Sequence, residues 1–250
     1  MIENITNQAW FQKFQSQFYV NFIESDRWLA LLKGLGNTLL ITFFALILGI
    51  VIGILVAMIR STYDKNYKDM VRRGSIGAKF LKIFNTICNI YLTIIRGTPA
   101  VVQLMIFYFV IFASSRNGIM IAIITFGINS GAYLAEIFRS GIMSVDAGQF
   151  EAGRSLGFSY PKTMIFIILP QAFKIILPTL CSEFVVLLKE TAVAGYVGIA
   201  DLTKVGDTIR GRTFAAFMPL IAVALCYLLI FVVLTNLIGR LERRLRNSER

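Results

Sequence analysis

Histidine is absent from this 250-residue chain, and cysteine occurs three times, at Cys88, Cys181 and Cys226, each alone in an apolar run. Metal sites built on His/Cys clusters and every Ser-His or Cys-His catalytic pair are therefore excluded on count. Isolated thiols in apolar surroundings read as small hydrophobes, and no disulfide framework is expected. No Gly-x-x-x-x-Gly-Lys-Ser/Thr occurs, so the chain does not cradle nucleotide phosphates in the P-loop manner. Charge is scarce as well. Only 16% of residues are charged against 56% hydrophobic, and the mean hydropathy is +0.70. A soluble domain has about a quarter of its residues charged, whereas several membrane spans account for the apolar excess. An enzymatic reading has little to stand on.

The start of the chain lacks the basic, apolar and small-residue regions of a cleavable secretory signal. Residues 1–28 are mixed and amphipathic, so the first long apolar run is expected to act as an uncleaved insertion signal. Uncharged stretches cover 34–59, 83–95, 97–115, 117–135 and 213–239, with a weaker one at 175–200 interrupted by Glu183, Lys189 and Glu190. A spanning helix needs roughly 20 mostly apolar residues. The segment 80–113 holds Arg96-Gly97-Thr98-Pro99 in its middle. As one helix it would be about 51 Å long, well beyond a hydrocarbon core of ~30 Å. It should break at Gly97 and Pro99, since proline donates no N–H and turns Thr98 away from helix. Broken backbone at membrane depth is tolerated only beside protein or a water-filled cavity.

The net charge of +11 does not point to nucleic acid, because of where the charges lie. If 80–113 is one broken span, Lys and Arg on one side number seven in 60–82, three in 139–162 and five in 240–250. The other side carries two in 1–28, one in 114–118 and three in 200–213. Basic residues accumulate on the cytoplasmic face. The sequence thus predicts an all-α integral membrane protein of five transmembrane helices, with the N-terminus outside and the C-terminus cytoplasmic. The basic 60–82 loop suits anionic lipid headgroups.

A short set of polar groups could carry chemistry. Arg96 near the bilayer centre needs a counter-charge or an anionic ligand, and its fork suits a carboxylate. It either binds such a ligand or snorkels and pairs internally. Glu136 and Arg139, three apart, can pair on one helix face. Gly127-x-x-x-Gly131 and Gly49-x-x-x-Gly53 permit close helix approach, though such spacings also arise by chance. Glu183 and Glu190 share a stripe and must face the bundle or a partner.

The polar insert at 149–172 predicts a helix from Phe150 to Leu156, ended by a left-handed Gly157. A second helix starts near Pro161 and runs to about Leu169, its end disturbed by Pro170. This knob either wedges into a soluble partner, with Glu151 pairing a basic group there, or lies as an amphipathic hairpin on the bilayer.

The segments Gly148-Gln149-Phe150-Glu151-Ala152, Leu156-Gly157 and Leu169-Pro170-Gln171-Ala172 resemble the EAA loop of ABC-importer permeases. Arg96-Gly97-Thr98-Pro99, Gln103-Leu104, the run Gly131 to Arg139 and Leu187-Leu188-Lys189-Glu190-Thr191 extend the likeness. Together they resemble the polar amino acid permeases of the histidine/glutamine/arginine type. The resemblance implies a type I importer fold and a multi-pass subunit of a bacterial-type cytoplasmic membrane. It also implies an extracytoplasmic segment 1–28, a permease domain 29–240 with a coupling loop at about 146–172, and a basic tail 241–250. Glu151, Ala152, Gly153 and Gly157 would couple to an ATPase. Arg96, Gln103 and Glu136 would line the substrate site, and the surplus of membrane-depth acids leans towards cationic amino acids. The implied partners are a second permease subunit, two ATPase subunits that bind the ATP, and a separate solute-binding protein. The chain itself would hold no cofactor and catalyse nothing. Gly153 stands where the family has a second alanine, which at ~1 kcal/mol of helix propensity predicts a looser knob. A secondary transporter or an ion-channel subunit is the other reading, although no internal repeat supports it.

Overall fold

The computed structural model describes residues 11–247, with side chains as far as residue 243. The first ten residues and 248–250, which belong to the expected terminal segments, lie outside the described residues. Among those described there is no strand. A short helix α1 (11–18) and a wide turn Tyr19–Ile23 lead to a kink where Ser25 and Asp26 take φ of 58° and 52°. The main elements follow as α2 (Arg27–Arg72), α3 (Ile76–Gly97), α4 (Ala100–Ile106), α5 (Gly118–Met143), α6 (Ala147–Ser155), α7 (Tyr160–Thr163), α8 (Leu169–Glu190), α9 (Leu202–Thr213) and α10 (Phe217–Asn247).

Among the described residues, five stretches are long and apolar enough to cross a membrane: Phe11–Arg72, Ile76–Gly97, Gly118–Met143, Tyr160–Val197 and Phe217–Arg243. The number is the one expected, but three boundaries differ. Helix α2 has 46 residues, about 69 Å at 1.5 Å per residue, so it runs well beyond any bilayer. The 22 residues of α3 suffice for a crossing, which leaves Ala100–Ile111 as a shorter apolar helix. The break between them falls where proline dictates, with Thr98 and Pro99 both extended. The helix expected to end near Leu169 does not end. It continues through a π-type turn at Met164–Ile168 into α8, the wider turn accommodating the missing Pro170 N–H.

The bundle is sorted by size rather than by polarity. On α2 the inward residues include Gly34, Thr38, Thr42, Ala45, Gly49, Gly53 and Ala57, while Phe43, Phe44, Ile47, Val51 and Leu55 point outward. Small inward residues let backbones approach where lipid removes any hydrophobic drive. Both glycine spacings prove to be packed, and against each other. A Cβ on Gly53 would meet Leu134 Cβ at 2.8 Å and the Ala135 nitrogen at 3.1 Å. One on Gly131 would meet Ile52 Cγ2 at 2.9 Å, and one on Gly127 would meet Leu48 Cδ2 at 2.7 Å. The α2–α5 pair is therefore an interlocked centre on which the other spans are hung. Helix α3 turns Phe80, Phe84, Ile87, Ile90 and Ile94 outward along one stripe.

Away from that centre, the link between the last two spans is tied back to α2. Asn37 donates to the Ala200 carbonyl at 2.9 Å, and Thr38 Oγ1 accepts from the Leu202 N–H at 3.1 Å. Asp201 caps α9, accepting from the backbone N–H of Lys204 and Thr203.

Candidate functional site

Two polar regions stand out, one at the α3–α4 break and one at the α6–α7 knob. The first is a cleft of about 430 Å³ lined by Arg60, Asn89, Thr93, Arg96, Gly97 and Glu136. Arg96 sits in the last turn of α3, where a cation is favoured. It is exposed, and its guanidinium lies 5.6 Å over the Tyr133 ring. Glu136 comes from α5 on the facing wall. Its carboxylate accepts from Arg60 and, at 3.2 Å, from Arg139, which also reaches Asp64 at 3.2 Å. These four side chains link the ends of α2 and α5 in an alternating chain of charge.

Gln103 is elsewhere. It is buried on α4 and its amide donates to the Ile95 carbonyl at 2.8 Å, the Thr98 carbonyl at 3.0 Å and Thr98 Oγ1 at 2.7 Å. Its own carbonyl accepts from Asn129 at 3.0 Å. The last carbonyls of a helix have no partner within it, and here a glutamine from beyond the break supplies one. The structure thus brings Arg96 and Glu136 to one cleft and turns Gln103 into the break. Arg60 and Asp64 were legible in the sequence only as part of a basic loop. The one signal was Arg60 closing a long apolar run, which marks a charge near membrane depth. On α8, Glu183 and Glu190 are half-buried, and Lys189 lies 5.6 Å over the Phe231 ring.

The second region begins three residues earlier than expected, because Asp146 caps α6 by accepting from the Gly148 N–H at 2.7 Å. Gly157 takes φ of 79°, as its place after the helix requires. The Phe158 N–H reaches the Gly153 carbonyl and the Gly157 N–H that of Arg154, a Schellman closure. Pro161 occupies the first turn of α7. Glu151 and Ala152 are exposed, and Glu151 forms no ion pair among the described residues. The knob is held at its base: Lys65 of α2 lies 4.5 Å over the Phe150 ring, Phe150 stacks on Tyr160, and Gln171 donates to Gln149 at 3.2 Å.

Gly153 does not loosen this knob. It is buried, and a Cβ there would fall 2.6 Å from Thr163 Cγ2, 2.8 Å from Thr163 Oγ1 and 3.1 Å from Ile167 Cδ1. The glycine lets α6 lie directly against α7.

The profile of the binding-protein-dependent transport system inner membrane components matches residues 71–247. The chain belongs to that family. The glutamine transport system permease protein of Escherichia coli K12 is 36% identical over 221 residues, covering 86% of this chain and 93% of the relative. The arginine transport system permease protein of Bacillus subtilis 168 is 32% identical over 223 residues, covering 88% and 94%. Among solved structures, the crystal structure of an amino acid ABC transporter with histidines superposes with a TM-score of 0.74 at 36% identity. It covers 86% of this chain and 94% of that one. An inward-facing methionine ABC transporter superposes at 0.73 with 20% identity, a likeness of fold alone. Family membership makes the chain an inner membrane component, and its apolar helices of spanning length are consistent with that place. The secondary-transporter and channel readings give way to it.

Proposed function

We propose that this chain is the translocating subunit of an ATP-driven importer for a polar amino acid. The observation that carries the reading is the cleft at the α3–α4 break, which Arg96 and Glu136 both line, in a chain 36% identical to a glutamine permease. Two such subunits, identical or homologous, pair with two ATPase subunits, and a separate binding protein delivers the solute. ATP is bound and hydrolysed by the partner. The basic loops at 60–82 and 139–162 and the basic tail support a cytoplasmic knob and C-terminus, with the N-terminus outside.

The knob is the coupling element. Closure of the ATPase dimer on ATP draws it along through Glu151, Ala152 and Gly157. The contacts at its base, Lys65 on Phe150 and Gln149 with Gln171, tie that displacement to α2 and α8. Because α2 and α5 are interlocked through their glycines, they move as one body. The bundle switches between inward- and outward-facing states, and nucleotide biases the two by its differential affinity for them.

In the cleft, Arg96 takes the substrate carboxylate in bidentate fashion. Glu136 meets the ammonium group only in competition with Arg60 and Arg139, which already neutralise it. Two guanidiniums, Arg60 and Arg96, face one carboxylate across this cleft, so its own charge balance does not favour a cationic side chain, although one relative 32% identical is an arginine permease. A neutral polar side chain fits that balance better. Gln103 acts indirectly, by holding the break that presents Arg96.

The test is reconstitution with the ATPase and binding protein in proteoliposomes. ATP turnover should rise with loaded receptor, and one polar amino acid should accumulate. Turnover indifferent to every amino acid in a full panel refutes the reading.

A further inference from the structure

A second polar cleft, of about 410 Å³, lies between the far end of α2 and the knob, lined by Asn66, Asp69, Arg73, Arg154, Ser159 and Tyr160. We propose that it binds the phosphate of an anionic phospholipid headgroup. The inference does not depend on which solute the chain carries.

Two helix ends build the cleft. Helix α2 closes with the Gly74 N–H on the Val71 carbonyl and the Ser75 N–H on the Met70 carbonyl, both at 3.0 Å, with Gly74 at φ of 64°. Helix α6 closes in the same way at Gly157. These two Schellman turns bring Arg73 and Arg154 to the lining of one space. Neither arginine forms an ion pair among the described residues, although Asp69 shares the wall. Two guanidinium forks opening on one pocket repel each other and call for an anion with several oxygens, which is phosphate rather than a lone carboxylate. Asp69 and Asn66 can accept hydrogen bonds from the hydroxyls of a glycerol headgroup. The volume is in the range of small-molecule sites.

The lipid source follows from where the cleft opens. Ile76, three residues beyond Arg73, is 74% exposed and Phe80 is 60% exposed, so the lipid-facing stripe of α3 starts within a turn of the cleft. Phe158 on the cleft wall is also exposed, an apolar surface for the upper acyl chain. Lys68, Arg72 and Lys79 are exposed around it and raise the local concentration of anionic lipid.

The experiment compares full-length protein in nanodiscs of phosphatidylcholine containing a minor fraction of phosphatidylglycerol, reading retained lipid by native mass spectrometry. Arg73→Gln with Arg154→Gln should lower phosphatidylglycerol retention about tenfold, as loss of charge-assisted hydrogen bonds predicts. Lys82→Gln with Lys174→Gln, the same charge loss at exposed positions away from the cleft, should leave it nearly unchanged. If the double cleft variant does not fold, the single variants at these exposed positions each give part of the loss and serve in its place. Equal loss from both pairs means diffuse attraction and overturns the site. Displacement of the lipid by millimolar inorganic phosphate assigns the cleft to a soluble anion instead. Unchanged lipid retention with lost ATPase co-purification makes it a protein interface, and the proposal fails.

Discussion

Replacing Gly153 with alanine sets two effects of opposite sign against each other. Alanine in a helix interior is favoured over glycine by about 1 kcal/mol, so helix propensity alone predicts a firmer knob. The structure predicts the reverse. The new Cβ would lie 2.6 Å from Thr163 Cγ2 and 2.8 Å from Thr163 Oγ1, closer than real carbon contacts permit. Thr163 is 1% exposed and β-branched, so it cannot swing clear within its helix. Overpacking of this kind costs about 1–3 kcal/mol, which leaves Gly153→Ala destabilising by roughly 0–2 kcal/mol after the propensity gain. Thr163→Ala separates the terms. Thr163 Oγ1 has no hydrogen-bond partner among the described residues, so that variant loses a buried methyl and little else, about 1 kcal/mol. In the Thr163→Ala background, Gly153→Ala should then stabilise, with a coupling between the two sites of about 1–2 kcal/mol. Denaturant titrations of the four purified proteins in detergent read this cycle directly. A more stable Gly153→Ala in the otherwise wild-type chain refutes the packing argument and returns the glycine to a mere loosening of the knob.

Three further outcomes are expected. Glu151→Lys should abolish uptake while leaving membrane insertion intact, since Glu151 is exposed and forms no ion pair among the described residues; normal uptake with normal ATPase co-purification refutes the coupling role. Arg96→Ala should cripple uptake without preventing assembly, and Arg96→Lys should rescue poorly because a point charge lacks the bidentate fork; wild-type transport by Arg96→Ala moves the pocket elsewhere. Burial pushes the Asp201 carboxyl above its ordinary value of 3.8, against hydrogen bonds from Lys204 and Thr203. The folded state therefore holds that proton more tightly, so stability from this group is full below 3.8 and falls as pH rises through the folded value. Asp201→Asn keeps the cap but should flatten that decline in unfolding midpoints taken from acidic to neutral pH.

What the sequence made legible was local. The five helices of spanning length follow from apolar run lengths, the break from Thr98-Pro99, and the knob's end from Gly157. Each depends on a residue's own backbone preference or on its immediate neighbours. Boundaries failed where a distant or unweighted partner decided them. Asp146 started α6 early by capping it, and a π-type turn carried the chain past Pro170. The glycine spacings on α2 and α5 carried little weight singly, because only their reciprocal fit separates them from chance.

The candidate site was harder for a physical reason. A charge at membrane depth must be compensated whether or not it has a function, so the sequence could say that Glu136 has a partner without saying which. Its partner Arg60 stands 76 positions away and read only as the start of a basic loop. That pairing reverses the electrostatic sense of the cleft. The acids at membrane depth lean towards a cationic substrate, whereas Arg60 beside Arg96 leaves the space around Glu136 short of negative charge. Gln103 teaches the same lesson from the neutral side. A glutamine in an apolar run invites a ligand, but a helix that stops leaves its last carbonyls without partners of their own. The nearer demand, the Ile95 and Thr98 carbonyls at the break, took the amide first. A polar residue within a helical turn or two of a membrane break is therefore better assigned to the break before it is assigned to the substrate.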